Sequence, residues 1–178
     1  MHPFAELAIP KRSVGIQWFE HNAYALKDSQ DTVLLVDPYF PHERPPERFI
    51  RSQPPVAESN LPTDYVLMTH AHNDHTNSET IVRIHEAWPQ AKYIGPKESI
   101  AQIVQDATVS EDQTITIAAS ESLSLGDIVV HAFYSKPPQG DPKAGIKPPR
   151  VTHLSYVIEM EGIKLYITGD PINNLAEQ

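Results

Sequence analysis

Cysteine is absent from the 178 residues of this sequence, and its absence excludes two structural features. Without cysteine there is no disulfide framework of the sort that holds small secreted domains together. There is also no thiolate ligand, so the usual structural zinc sites are excluded. The composition fits a reducing compartment, and we expect a cytoplasmic protein.

Long apolar runs and clusters of basic residues are missing as well. No run approaches the roughly 20 apolar residues that span a bilayer, and the N-terminal stretch MHPFAELAIPKRSVG lacks the pattern of a secretory leader. The 23 acidic residues outnumber the 14 Lys and Arg, which gives a formal net charge of -9. A surface that neutralises many phosphates is therefore not expected. We predict no membrane span and no nucleic-acid partner.

The remaining composition is that of a globular protein. Hydrophobic residues make up 40% of the chain and charged residues 21%, which provides enough apolar surface for a buried core. Prolines number 17 and cluster at 38–55 and 137–149, where they predict two structured loops rather than a linker. We expect residues 1–178 to form one domain.

Short apolar or alternating runs predict most of the strands. The first three runs, over residues 13–19, 23–27 and 32–40, predict an antiparallel meander. The near-continuous apolar run at 64–70 predicts a strand that is covered on both faces. From residue 113 onward the sequence returns to the period of two that is typical of strands.

Two predicted helices lie between these groups of strands. Thr76 and Glu79 have the spacing of a capping box, which predicts a helix over residues 78–88. One face of this helix would carry Ile81, Ile84, His85 and Trp88. A second helix, over 96–107, begins with a proline at the favoured first position. Strand groups on either side of the helices predict an α/β sandwich, with two sheets face to face and helices outside.

The stretch THAHNDHTN, residues 69–77, concentrates side chains that bind metals. In extended backbone His70 and His72 point the same way and can share one ion. Asp74 and His75 follow at the turn into the helix, from which they can reach a second, adjacent position. Imidazole and carboxylate ligands suit zinc, manganese or iron. A chance cluster of surface histidines and a purely structural metal site are the alternatives.

A predicted hairpin near the end of the sequence carries two further side chains that can bind metals. If strands 153–160 and 163–169 turn at Glu161-Gly162, Tyr156 faces Ile167 and His153 faces Asp170. His153 would then complete three imidazoles around the first metal, and Asp170 could bridge both metals.

The other histidines and one aspartate receive different predictions. Asp37, at the end of an apolar strand, is expected to be structural or to orient a metal-bound histidine. His21 is either a wall of the site or an ordinary edge residue, and His85 belongs to the helix packing face. The remaining three are predicted not to be ligands: His2, His42 and His131.

At these motifs the sequence resembles the metallo-β-lactamase superfamily. The Asp-Pro pair at 37–38, THAHNDH, the later His153 and the TGD at 168–170 occur in the family's order. The stretch GIQWFEHNAYAL with TVLLVDPYF is similar to the branch of ascorbate-6-phosphate lactonase and the N-acyl phosphatidylethanolamine phospholipase D. Glu20 stands where that branch has a glycine.

The resemblance implies an αββα sandwich of two mixed β-sheets with outer helices and one or two divalent metals, most simply Zn²⁺, with Mn²⁺ or Fe²⁺ as alternatives. His70, His72 and His153 would hold one metal, Asp74 and His75 the other, and Asp170 would bridge. The family's final histidine lies beyond the TGD, and PINNLAEQ contains none. We therefore expect a C-terminally incomplete domain that lacks its last elements.

The expected function is a metal-dependent hydrolase in which a metal-bound hydroxide attacks a small ester, lactone or phosphodiester, with Asp74 as the catalytic residue that orients or deprotonates the water. A metal-binding or interaction protein without turnover is the alternative, and a nuclease of the same superfamily is a third. The substrate can be anionic, with contacts from Lys143, Lys147 and Arg150, and the chain can form oligomers.

Overall fold

The structure, a computed structural model, describes residues 1–171. Ten strands form two sheets. Their bounds are β1 Gly15–Trp18, β2 Tyr24–Lys27, β3 Val33–Val36, β4 Tyr65–Leu67, β5 Lys92–Gly95, β6 Thr114–Thr116, β7 Ser122–Leu125, β8 Ile128–Tyr134, β9 Leu154–Met160 and β10 Ile163–Ile167. The α/β fold with two sheets is therefore confirmed, and the expectation of a single domain over 1–178 stays a prediction.

The first sheet has six strands in the order β1-β2-β3-β4-β5-β6. The predicted meander is confirmed, because β1, β2 and β3 pair antiparallel. From β3 to β6 the pairing is parallel. Parallel strands that are covered on both faces need apolar side chains at successive positions, and VLLV in β3 has them.

The second sheet has four strands in the order β10-β9-β8-β7. It was expected to be mixed, but within the described residues all its pairings are antiparallel. The register of the final hairpin is confirmed, since Ile167 is the partner of Tyr156. The ladder ends at Leu154, whose backbone N–H donates to Thr69 O at 2.9 Å. The two sheets are joined at this point.

Two helices of ten residues cover the outer face of the first sheet. They are α2, Ser78–Ala87, and α3, Lys97–Asp106; a single turn, α1, Pro3–Glu6, precedes β1. The predicted capping box is wrong, because the side chain of Asn77 caps α2 by accepting from Thr80 N. Thr76 is unavailable as a cap since its hydroxyl donates to His70 O at 2.8 Å. Pro96 is the residue before α3 rather than its first residue.

The core lies on both sides of the first sheet. Val33 and Leu35 of β3 pack with Ile81 and other helix residues in one cluster. Leu34 of the same strand packs toward the second sheet, with Tyr156 among its neighbours. This alternation fixes β3 and β4 in the centre of the sandwich, so their C-terminal ends are held rigidly.

The proline-rich loop after β3 is fastened by a buried ion pair. Glu20 accepts from Arg44, and both side chains are almost fully buried. Glu20 has φ 89, a left-handed conformation that glycine adopts without strain and that other residues rarely adopt. Glu20 thus has a backbone conformation that a glycine would adopt without strain, and its carboxylate binds the loop.

No helix among residues 1–171 has the length and apolar character to cross a membrane.

Candidate metal centre

The candidate site lies where β4 ends and the second sheet begins. The β4 strand carries the chain to Thr69 and His70, and the loop that follows turns into α2. The carbonyl of Met68 accepts from the phenol of Tyr156 at 2.8 Å, across the two sheets. The histidine loop is therefore held at the shared edge of both sheets rather than on a free surface loop.

The loop brings His70 and His72 to the same place as His153. His70 Nε2 and His72 Nδ1 are 2.9 Å apart, and the ring centroids of His70 and His153 are 4.0 Å apart. One ligand atom from each of the three residues lies within 4.8 Å of the others. His70 and His153 are buried, whereas His72 is exposed. The predicted first group is thus assembled.

A second group shares His70 and adds His75 and Asp170, again within 4.8 Å. His75 Nε2 is 3.3 Å from Asp170 Oδ1, and His70 Nε2 is 3.6 Å from Asp170 Oδ2. Asp74 is the neighbour of this group, with Oδ2 at 3.8 Å from His75 Nε2. Asp170 therefore lies within 3.6 Å of a ring nitrogen of both His70 and His75.

The predicted facing of His153 and Asp170 falls outside the paired residues of the hairpin and stays a prediction. Both lie beyond the paired residues of β9 and β10, and they enter separate groups. Gly169 explains the bend, because its φ is +58 and a Cβ there would lie 2.8 Å from Leu154 O. The glycine lets the chain pass closely over β9 and present Asp170 to the histidine loop.

Asp37 supports the site from the end of β3. Its Oδ2 accepts from Thr69 Oγ1 at 2.6 Å and lies 2.6 Å from His75 Nδ1, while its Oδ1 accepts from Thr69 N at 2.7 Å. The same Oδ2 accepts from Asn22 Nδ2 at 2.7 Å. A carboxylate that holds one nitrogen of a histidine directs the other nitrogen and fixes its tautomer. Asn22 was not predicted, since nothing in its local sequence indicates this contact.

The charges in the site differ from one histidine to the next. Burial lowers the pKa of His70 to about 2, helped by His75 and His153. Burial also lowers the pKa of His153 to about 4, with a further contribution from Lys136. Burial would lower the pKa of His75 too, but hydrogen bonds to Asp170 and Asp37 outweigh it and raise the pKa to about 10. At neutral pH His70 and His153 are therefore neutral, the form that binds metals.

The carboxylate of Asp170 is held in its charged form. The hydrogen bond with His75 is the largest cause of its lowered pKa, and His70 and Lys136 contribute in the same direction. Lys136 Nζ lies 3.9 Å from Asp170 Oδ2. Lys136 was missed in the sequence because it is separated by more than thirty residues from its partner.

The other five histidines belong to neither ligand group of residues 1–171. His85 is half-buried in α2, with its ring 6.2 Å from that of Tyr93. His21 is exposed and packs edge-on against Tyr39 and Phe49. Within residues 1–171 none of the remaining histidines enters a metal-binding group: His2, His42 and His131.

The arrangement fits a divalent metal ion. Three imidazoles and adjacent carboxylates are the donors that zinc, iron and manganese accept. Nδ1 of His153 is buried and has no hydrogen-bond partner within the described chain. A polar group in that position calls for a partner from outside the protein or for a ligand role that orients the ring.

Comparison with known proteins gives the same class. The profile of the "Beta-lactamase superfamily domain" matches residues 15–178, so the chain belongs to this family. A UPF0173 protein from Pyrococcus abyssi is 29% identical over 78% of this chain and 58% of its own length. A UPF0173 metal-dependent hydrolase from Anaeromyxobacter sp. (strain K) is 34% identical over 38% of this chain and 24% of its own length.

The fold is also found in a solved structure of an enzyme that is not named as a hydrolase. The diiron β-hydroxylase CmlA from Streptomyces venezuelae superposes with a TM-score of 0.64 at 21% identity, over 93% of this chain and 31% of that protein. At this identity the similarity concerns the fold alone. The resemblance to the superfamily is confirmed, and the chain spans less than two thirds of the length of these proteins.

Proposed function

We propose that this chain carries the metal centre of a hydrolase that acts on a small ester, lactone or phosphodiester. One observation carries the proposal: two groups of ligand atoms, His70–His72–His153 and His70–His75–Asp170, lie side by side. The hydrolase name of the Anaeromyxobacter relative supports the reaction class. The activity and the substrate of the whole protein are part of what we propose.

One ring nitrogen can bind only one ion, so His70 serves one group at a time. We assign His70, His72 and His153 to the first ion. His75 and Asp74 hold the second, and Asp170 lies between them as the bridge. Zinc is the simplest occupant, with manganese and iron as alternatives of suitable ligand chemistry.

A pair of divalent metals, when bound, lowers the pKa of water and polarises the bond under attack. The protein supplies the remaining parts. Asp74 is partly exposed, with 39% of its side chain open to solvent, so it can receive a proton at Oδ2 and pass it on. Asp37 and Thr69 hold Nδ1 of His75, which directs its Nε2 toward Asp74 and Asp170. Lys136 beside Asp170 offers a positive charge to a developing negative one.

The charge of the chain favours a small-molecule substrate over a nucleic acid. Within the family, the branch of ascorbate-6-phosphate lactonase and N-acyl phosphatidylethanolamine phospholipase D remains our expectation, on the motifs described above. So does a cytoplasmic location, on the absence of cysteine.

The experiment is a comparison of substrate classes with metal-loaded protein. A phosphodiester, a lactone and an ester would be incubated with wild type, His72→Ala and His85→Ala. We expect one class to be hydrolysed by wild type and by His85→Ala, and at least about a hundredfold more slowly by His72→Ala. Equal rates in wild type and His72→Ala on all three classes, with metal bound, would favour a metal-binding protein without turnover.

A further inference from the structure

A cavity adjoins the candidate metal centre at His153. It has a volume of about 150 Å³ and lies between the start of α3 and the loop that connects β8 to β9. Its charged or polar walls come from Glu98, Tyr134, Lys136, Arg150, Thr152 and His153. Because His153 belongs to both the cavity and the first ligand group, the cavity lies beside the candidate metal centre.

Two buried polar atoms of the residues that line the cavity have no partner within residues 1–171. They are Glu98 Oε2 and His153 Nδ1. The other oxygen of the same carboxylate, Glu98 Oε1, accepts from Thr152 Oγ1 at 3.2 Å, which fixes the side chain against the loop. Buried atoms of this kind cost free energy unless a partner satisfies them. A ligand in this cavity would have to donate a hydrogen bond to Glu98.

The same cavity is basic on its other walls. Lys136 is mostly buried, and its ammonium group points toward the site, 3.9 Å from Asp170 Oδ2. Arg150 is exposed at the rim. Two cations and one carboxylate select a group that carries negative charge and still has a proton to donate.

We propose that this cavity binds a phosphate group of the substrate in a form that retains one proton. The P–OH donates to Glu98 Oε2, and the other oxygens accept from Arg150, Lys136 and His153 Nδ1. The volume corresponds to about five water molecules at roughly 30 Å³ each, which is enough room for a phosphate group. The assignment to a substrate rests on the proposed function, whereas the binding of the phosphate does not.

The test measures binding without turnover, by calorimetry on the metal-loaded full chain. Inorganic phosphate and sulfate have the same shape, but sulfate has no proton to donate near neutral pH. We expect wild type to bind phosphate about tenfold or more tightly than sulfate, since a hydrogen bond to a charged group is at stake. Glu98→Gln should abolish this preference. Arg150→Met should weaken both anions about fivefold to tenfold.

Two exposed residues outside the cavity provide matched controls. Glu111→Gln and Arg12→Met make the same chemical changes and should bind both anions like wild type. A phosphate preference that survives in Glu98→Gln, or is lost only in His72→Ala, would overturn the proposal, because the anion would then lie on the metals. The absence of phosphate binding in wild type would overturn it as well.

Methyl phosphate separates a substrate group from free phosphate. Near pH 6 a phosphate monoester retains its proton about half of the time. We expect methyl phosphate to bind at least as tightly as inorganic phosphate and to depend equally on Glu98. Its rejection, with inorganic phosphate still bound, would overturn the assignment to a substrate. Because no rate enters these measurements, a failure of the hydrolase proposal would be recognised separately.

Discussion

Asp37 Oδ2 lies 2.6 Å from His75 Nδ1, and it joins the end of β3 to the histidine loop thirty-eight residues later. Asp37 is fully buried and has φ 41, a conformation that few residues other than glycine adopt. Strained backbone of this kind is characteristic of functional sites. The buried carboxylate couples the central strands of the first sheet to the proposed second metal position.

We predict that Asp37→Asn weakens metal binding. The amide cannot accept at both ends, so it would present N–H groups to the donors Thr69 and Asn22 and would no longer hold His75. The expected loss of affinity is about 10- to 100-fold at one of the two positions. Titration with a competing chelator measures it, and Asp127→Asn, an exposed aspartate, is the control. Equal affinities in both variants would contradict the role of Asp37.

A second prediction concerns the loop fastened by Glu20. Arg44→Met removes the cation from a pair whose side chains are 1% and 4% exposed. Within residues 1–171 the buried carboxylate of Glu20 would then retain only the partly exposed Arg51 as a cation. We therefore expect the free energy of unfolding to fall by about 3–5 kcal/mol. Urea denaturation measures this change. Lys164→Met, in an exposed pair with Glu159 that solvent screens, should change the free energy of unfolding far less. A similar loss in both variants would refute the prediction.

The contact between the two sheets gives a third prediction. The phenol of Tyr156 is fully buried and donates to Met68 O, directly beside the histidine loop. Tyr156→Phe leaves that carbonyl without this partner and should lower the free energy of unfolding by about 1–3 kcal/mol. Tyr166→Phe is the matched control on the adjacent strand, because Tyr166 is 63% exposed. If the two variants are equally stable in urea, the contact does not hold the sheets together.

Local patterns were sufficient for much of the fold. Alternation along 153–169 gave the register that pairs Tyr156 with Ile167, since a two-residue turn fixes a hairpin. The paired residues end at Ile167 and Tyr156, and Leu154 N–H donates to Thr69 O while Gly169 bends the chain, so the facing of His153 and Asp170 stays a prediction. The capping box failed, since the tertiary contact of Thr76 with His70 O replaces the local one.

The ligand groups were predictable in part for a physical reason. His70, His72, Asp74 and His75 lie within six residues, so local geometry alone keeps them together. Glu98, Asn22 and Lys136 reach the site from distant elements, and nothing in their own neighbourhood of the sequence distinguishes them from surface polar residues. Only the packing of α3 and the β8–β9 loop brings Glu98 next to His153.

The most direct test of the account is the metal content of the purified chain, measured by elemental mass spectrometry. We predict two ions for wild type and for His85→Ala, the first held by His70, His72 and His153 and the second by His75 and Asp74, with Asp170 as the bridge. His70→Ala, His72→Ala and His153→Ala should each lose the ion of the first group and retain the second. Equal metal content in His70→Ala, His153→Ala and His85→Ala would contradict the assignment of these histidines as ligands.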